Sequence, residues 1–352
     1  MRKRLRYICR ELSMGRRSIT QKEIARRMDV SVATVSRALN DQPGVSAEVR
    51  ERVLGLAKEL GYSPDIRARS LATSVTRTVA FIVHEKHSAT EDPFFPVIIA
   101  GAEAHLSQRD YHILLTTVDD QTMARPRDFS LVNQKRVDGL ILAGPDISPS
   151  FILSLVAADI PLVLADNNLS QTPVNCVLND DEGGAYAATR CLLNHKHTRI
   201  AFLSGPAEWV SNRERIRGYQ RAVEEAGQQP LILHGTETTI ASGREMMGLA
   251  LERWPDLTAV CAVNDAVAIG AIRAAARLGR RIPETLSVFG FDDISWAAMN
   301  DPPLSTVHVF KRRMGELAAQ RLLDLIQNRN GPPAKTIVST ELVLRDSCCS
   351  QI

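Results

Sequence analysis

Thr20-Gln-Lys-Glu-Ile-Ala-Arg-Arg-Met-Asp-Val-Ser-Val-Ala-Thr-Val-Ser-Arg-Ala-Leu-Asn40 carries two short helical patterns separated by a tight turn. Thr20 and Glu23 have the spacing of a capping box, in which the hydroxyl and the carboxylate satisfy backbone N–H groups of a first helical turn. Ile24, Ala25 and Met28 then fall on one face. Asp29-Val30 interrupts the pattern, and Ser31 is a suitable N-cap for a second helix, Val32 to Leu39, with Val35, Ala38 and Leu39 toward a core. A third helix fits Ser46 to Leu60, with Val49, Val53, Leu56, Ala57 and Leu60 on its apolar stripe and Gly61 as terminator. The outward residues of the second helix, Val32, Ala33, Thr34, Ser36 and Arg37, are small or hydrogen-bonding. That suits an element pressed into a DNA major groove, where bulk would prevent the approach, although an ordinary solvated helix face has the same pattern.

The charge is divided unevenly around this unit. The chain has 352 residues and a formal net charge of +3. Residues 1–77 hold 17 Lys+Arg and 8 Asp+Glu, a net +9, whereas the rest of the chain is net −6. Residues 1–17 alone hold seven basic side chains and one acidic one. A basic head on a mildly acidic body points to a polyanionic partner, because Lys and Arg displace condensed counterions from phosphates.

The run Ile24 to Asn40 closely resembles the DNA-binding signature of the lactose/galactose repressor family (LacI/GalR). The resemblance continues through Val45-Ser46 and Gly61-Tyr-Ser-Pro64 to Ala68-Arg-Ser-Leu71, which is similar to that family's hinge. It implies a double-stranded DNA operator, near-palindromic and bound by a homodimer, with Val32 and Ala33 at base edges and Arg37 at a base or phosphate. Thr34 and Ser36 are then phosphate-side or orienting contacts, and Thr20, Ser31 and Asn40 complete the DNA-facing set. Asp65 to Ala72 is too short for a stable isolated helix and should fold only when held. By resemblance Leu71, flanked by Arg69 and Ser70, wedges between base steps in the minor groove; the alternative is a linker residue packed against the next domain. Two departures stand out: Asp29 where the turn commonly has Gly, tolerable because Asp visits left-handed backbone more readily than most, and Asp65 where Asn commonly follows the proline.

Beyond Arg77 short apolar runs alternate with amphipathic stretches, as in parallel sheets covered on both faces. Val79–Val83, His112–Thr116, Val137–Ala143 and Pro161–Ala165 form a first set of strands; Ile200–Leu203, Leu231–Leu233, Ala259–Val263 and Leu286–Gly290 form a second. The expected fold class is therefore an all-α helix-turn-helix head plus an α/β body of two doubly wound subdomains, of periplasmic-binding-protein-like type. Ligands of such sheets bind beyond the carboxyl ends of strands, in the cleft. Asp166, Asn264-Asp265 and Asp292-Asp293 stand at those ends, and such a ring suits a polyhydroxylated ligand. The resemblance extends over Pro93-Phe-Phe95, Arg136-Val-Asp-Gly139, Arg215-Ile-Arg-Gly-Tyr219, Val263-Asn-Asp265, Gly290-Phe-Asp-Asp293 and Glu341-Leu-Val-Leu-Arg345, about residues 18 to 345. It implies effector contacts from Phe94, Phe95, Asp166, Arg215, Asn264 and Asp292. Alternatives stay open: Arg215 as a surface partner of Glu214 or Glu225, Asp293 as a helix cap, and one of the two phenylalanines as plain core. Thr238 stands where the lactose repressor has an aromatic ligand contact, so that repressor's sugar is not transferred. No aromatic sandwich beyond Phe94-Phe95 is evident, which favours a sugar over a purine or an amino acid.

The expected division is a basic extension (1–17), a helix-turn-helix domain (18–62), a hinge and linker (63–77), a two-lobed effector-binding and dimerisation body (78–345) and a tail (346–352). The six cysteines have no CxxC or CxxH spacing, so neither a zinc nor a thioredoxin-like motif is expected, and no metal or cofactor. Cys348-Cys349 sit in the polar tail as solvated thiols, with an intermolecular disulfide as the alternative, and His195 and His197 are expected at the surface of a helix end. Absent an apolar leader or a run of ~18 apolar residues, the expected location is cytoplasmic and nucleoid-associated, away from membranes. A solute-binding protein lacks the basic helical head, and no GxSxG, GxxxxGK[ST] or strand-linked GxGxxG speaks for an enzyme.

Overall fold

A computed structural model describes residues 19–39, 41–62, 75–87, 93–134, 136–329 and 331–348. The chain divides into two compact units, residues 1–75 and 76–352. In the first, α1 (Gln21–Met28), α2 (Val32–Leu39) and α3 (Ala47–Glu59) bury Ile24, Ala25, Val35, Ala38, Val53 and Ala57 against one another. Met28, Leu39, Val49, Leu56 and Leu60 close the edges of this small core, so the helical stripes of the sequence are the packed faces. The turn between α1 and α2 is made by Asp29, whose backbone is left-handed (φ 54°, ψ 45°) and whose N–H caps the helix end by donating to the Ala25 carbonyl. An Asp tolerates that conformation better than most side chains, as its place in the turn demands. The capping box forms by half: the Thr20 hydroxyl accepts from the Glu23 N–H, but the Glu23 carboxylate turns to Arg26 and Arg27 instead.

The second unit begins with β1 (Thr78–His84), α4 (Phe95–Ser107), β2 (His112–Val118), β3 (Gly139–Ala143), α5 (Pro149–Ala157), β4 (Leu162–Ala165) and β5 (Cys176–Asn179). It continues with α6 (Asp181–Asn194), β6 (Ile200–Ser204), α7 (Val210–Glu225), β7 (Leu231–His234), α8 (Ile240–Arg253), β8 (Ala259–Ala262), α9 (Asp265–Arg277) and β9 (Ser287–Phe289). β10 (Thr306–Val309), α10 (Lys311–Gln327), β11 (Lys335–Val338) and β12 (Thr340–Val343) end it. The first lobe holds a six-stranded sheet of order β11-β5-β4-β3-β1-β2 and the second a four-stranded sheet of order β7-β6-β8-β9. Every strand pair in both sheets is parallel. Their central strands are buried on both faces, which is why they read as continuous apolar runs.

The lobes are not consecutive in sequence. The chain crosses between them at Asn179–Asp181, at Val309–Lys311 and at Val338–Thr340, so the first lobe is completed by α10 and β11 from near the end. α10 packs on α4 through Gly101 and Gly315, where an added Cβ would run into the Arg312 or Ile98 carbonyl. The antiparallel pair β10-β12 joins the second lobe through bridges Phe289–Ser305 and Asp292–His308. Four strands, β5, β10, β11 and β12, are additions to the eight expected.

Two expectations are corrected. The tail does not start at residue 346 as a solvated segment: Ser347 is fully buried, its carbonyl accepts from Val288 N–H and its hydroxyl donates to the Val288 carbonyl, while Cys348 packs against the core. His197 is buried rather than at the surface, because the chain turns in beside β6 directly after α6. His195 behaves as a helix-end group, with Nδ1 2.8 Å from the Cys191 carbonyl. Among the described residues no helix is long and apolar enough to cross a membrane, and no group of His, Cys, Asp or Glu could hold a metal ion.

Candidate functional site

On α2, Ser31 caps the helix by accepting from the Thr34 N–H at 3.0 Å, and its hydroxyl lies 2.8 Å from the Thr34 hydroxyl. Val32, Ala33 and Arg37 are exposed, while Thr34 and Ser36 are half-buried. The ion pair of Arg50 with Asp41, and its bond to the Gln42 carbonyl at 2.8 Å, hold the loop that follows α2. Asn40, Arg69, Ser70 and Leu71, like residues 1–17, lie outside the described residues.

Within the body a cavity of about 720 Å³ opens between the lobes, at the carboxyl ends of the strands. All six residues expected there line it: Phe94, Phe95, Asp166, Arg215, Asn264 and Asp292. Asp166 follows β4 directly, Asn264 lies two residues beyond β8 and Asp292 three beyond β9, so the sheets themselves aim these groups at one space. Phe94 and Phe95 meet edge-on at 5.2 Å and are both buried, and Phe95 lies beneath Gly144. Neither phenylalanine is merely core.

Arg215, on α7, is the most constrained group. Its Nε donates to Asp181 at 2.8 Å, Nη1 to the Val263 carbonyl at 2.5 Å, and Nη2 stands 3.2 Å from Asp292. Its guanidinium lies 3.8 Å from the centre of the Phe291 ring. The surface alternatives with Glu214 and Glu225 do not form: Glu214 pairs with Arg217, and Glu225 with Arg221. Burial opposes the Arg215 charge, but the Asp181 and Asp292 carboxylates outweigh it and hold the guanidinium more firmly protonated than usual. Burial, followed by the Asp181 carboxylate, pushes Asp166 well above the ordinary carboxylate range against the pull of Arg215. The Asp166 carboxyl accepts from the Asn179 amide at 3.1 Å.

Asn264 caps α9 by accepting from the Val267 N–H at 2.9 Å, and its amide donates to the Thr238 carbonyl at 3.1 Å, which leaves one N–H for the cavity. Asp293 is not a helix cap; Arg345 and His308 hold its carboxylate, both at 2.7 Å. Many lining residues are absent from those expected on sequence grounds, Lys86 and Arg244 among them, and the aromatic surface, expected from Phe94 and Phe95 alone, extends beyond that pair. Trp209 and Trp296 add aromatic surface from the second lobe, and His87 places its Nε2 2.5 Å from Asp146. Asp181 was likewise not expected, although Asn179-Asp180-Asp181 after Cys176-Val-Leu178 has the same polar-after-apolar signal as the strand ends that were recognised.

Residues 20–65 match the bacterial regulatory proteins, lacI family, and residues 189–348 match the periplasmic binding protein-like domain. The ribose operon repressor of Haemophilus influenzae is 32% identical over 333 residues, which span 94% of this chain and 99% of that protein. The chain belongs to the LacI family. Among solved structures of this family, a CelR–cellobiose complex is 31% identical with a TM-score of 0.73, covering 94% of this chain and 99% of that one. The lac repressor dimer bound to operator and an anti-inducer is 27% identical with a TM-score of 0.80, covering 95% and 100%. As a LacI-family member the chain is a DNA-binding transcriptional regulator and not an enzyme.

Proposed function

We propose that the chain is a repressor that binds a near-palindromic operator as a homodimer and is controlled by a sugar in the interlobe cavity. The observation that carries the effector class is the state of Arg215. Its charge is already met by Asp181 and Asp292, so the Arg215 guanidinium offers directed donors rather than an uncompensated charge, while the cations Lys86 and Arg244 stand elsewhere on the lining. Asp166, Asn264 and the remaining guanidinium N–H groups suit vicinal hydroxyls, and Phe94, Phe95, Trp209 and Trp296 suit the apolar face of a sugar ring. The CelR–cellobiose complex and the ribose operon repressor agree with this class.

In this proposal residues 18–62 read DNA, 63–77 form the hinge and 78–345 bind effector and dimerise. Val32 and Ala33 meet base edges, Arg37 a base or phosphate, and Thr20, Ser31, Thr34, Ser36 and Asn40 orient α2 against the backbone. Arg69, Ser70 and Leu71 enter the minor groove. The protein acts in the cytoplasm, at the nucleoid. A ligand changes operator affinity only as far as it prefers one lobe arrangement to another. The test is selection from a random duplex library with the full-length chain, repeated with ribose, glucose, cellobiose, maltose and lactose. A near-palindrome whose recovery changes with one sugar is the expected result. A palindrome indifferent to every sugar would overturn the effector class, and no enrichment would overturn the DNA-reading assignment.

A further inference from the structure

Lys311 is the first residue of α10, immediately beyond the crossing from β10 into the first lobe, and its side chain is 6% exposed. A buried lysine at a helix start is unfavourable twice, through desolvation and through the positive end of the helix dipole. Its neighbours supply the compensation. The ammonium donates to the backbone carbonyl of Asp292, to that of Asp293 at 3.1 Å and to that of Val309 at 3.3 Å, all three from the second lobe. On another side it lies 5.8 Å from the centre of the Phe94 ring, at the start of α4 in the first lobe.

Asp292 and Asp293 both have left-handed backbone, φ 104° and 51°, a conformation that L side chains rarely adopt. Such positions persist where the surroundings over-determine them. Here the over-determination comes from behind: Lys311 does not line the cavity, but it holds the peptides that present Asp292 to the cavity and packs on the ring that forms the opposing wall. Its backbone belongs to α10, which is locked to α4 by the close approach at Gly101 and Gly315. The ammonium is therefore anchored in one lobe and bonded into the other, so the second-lobe wall cannot shift against the first-lobe wall without disturbing it.

We propose that Lys311 is a positioning residue that ties the Asp292 wall of the cavity to the Phe94 wall and so sets the separation of the lobes. Its consequence for DNA binding rests on the effector reading above; the tie itself does not.

Hydrogen exchange followed by mass spectrometry on the ligand-free full-length chain tests the tie, with Lys311→Met as the variant that keeps length and removes charge, and Lys311→Arg as the variant that keeps a donor cation. Lys311→Met should speed exchange about tenfold in peptides covering both 290–296 and 93–99, leave those covering 200–204 and 259–262 unchanged, and shift affinity for the selected operator about fivefold. Lys311→Arg should restore most of the protection. Faster exchange confined to 290–296 would make Lys311 a local anchor and overturn the proposal, as would a uniform increase across the body, no change at all, or an Arg variant as unprotected as the Met variant. Failure of the sugar screen leaves this result intact, because no ligand enters it.

Discussion

The Arg215 guanidinium lies 3.2 Å from a carboxylate, that of Asp292, whose own backbone stands at φ 104°. The cavity floor thus joins a buried ion pair to a strained turn. The Asp292 N–H donates to the Val307 carbonyl at 2.9 Å, so β10 fixes the turn from one side while the Lys311 ammonium holds it from the other. Strain of this kind concentrates where a side chain must be presented in one orientation.

Arg215→Met should cost about 3–5 kcal/mol, because it leaves Asp181 and Asp292 buried without their cation. Thermal unfolding should show the loss at neutral pH, and calorimetric titration with the sugar recovered from the screen should show no binding. A variant with wild-type melting behaviour would contradict the burial of the pair.

Asp166 sets a pH dependence of defined sign. Its carboxyl is held above the ordinary carboxylate range, so the folded protein binds a proton that the unfolded chain has released. The associated stability is complete below the unfolded value of ~3.9 and is lost as pH rises through the raised folded value. Asp166→Asn should therefore raise the melting temperature at pH 8 more than at pH 4. Equal shifts at the two values would mean that the group is ionised in the folded state.

Arg37 is exposed on α2 and contributes nothing to the small core of that unit, so Arg37→Ala should leave helicity intact. Affinity for the selected operator should fall by about 1–3 kcal/mol, with the loss concentrated at one base-pair position when Arg37 reads a base and spread evenly over sequences when it meets a phosphate. Fluorescence anisotropy against operator variants distinguishes the two, and undiminished affinity would remove Arg37 from the interface.

Deleting residues 1–17 removes seven basic groups and one acidic group. If they meet phosphates, the slope of log affinity against log salt should become shallower by about 0.9 for each phosphate that is no longer neutralised. An unchanged slope would show that the extension takes no part in binding.

Much of this arrangement is legible in the amino-acid sequence. The α2 stripe, the left-handed turn at Asp29 and the groups just beyond β4, β8 and β9 follow from local rules: periodicity, tolerance of positive φ, and the appearance of polar residues after apolar runs. What escapes depends on partners remote in sequence. β11 pairs with β5 across about 160 residues, and its short alternating pattern at a sheet edge resembles any exposed connection. Trp209 lies in a loop, and nothing in its neighbours tells which side of the fold that loop faces. Lys311 reads as one of three consecutive basic residues opening a surface helix, and only its contacts with Asp292 and Phe94 set it apart.

The threefold crossing of the chain between lobes also sets a timetable for synthesis. The three-helix unit has all its core residues by Tyr62 and can close soon after they leave the ribosome. The first lobe cannot, because β5 remains an open edge, and α4 lacks the helix that covers it, until Lys335–Val338 and α10 have been translated. A nascent chain therefore carries a finished head ahead of an unfinished body for most of its translation, with an exposed strand edge available for mispairing. Ribosome-bound chains stalled before residue 335 are the species in which that vulnerability would be found.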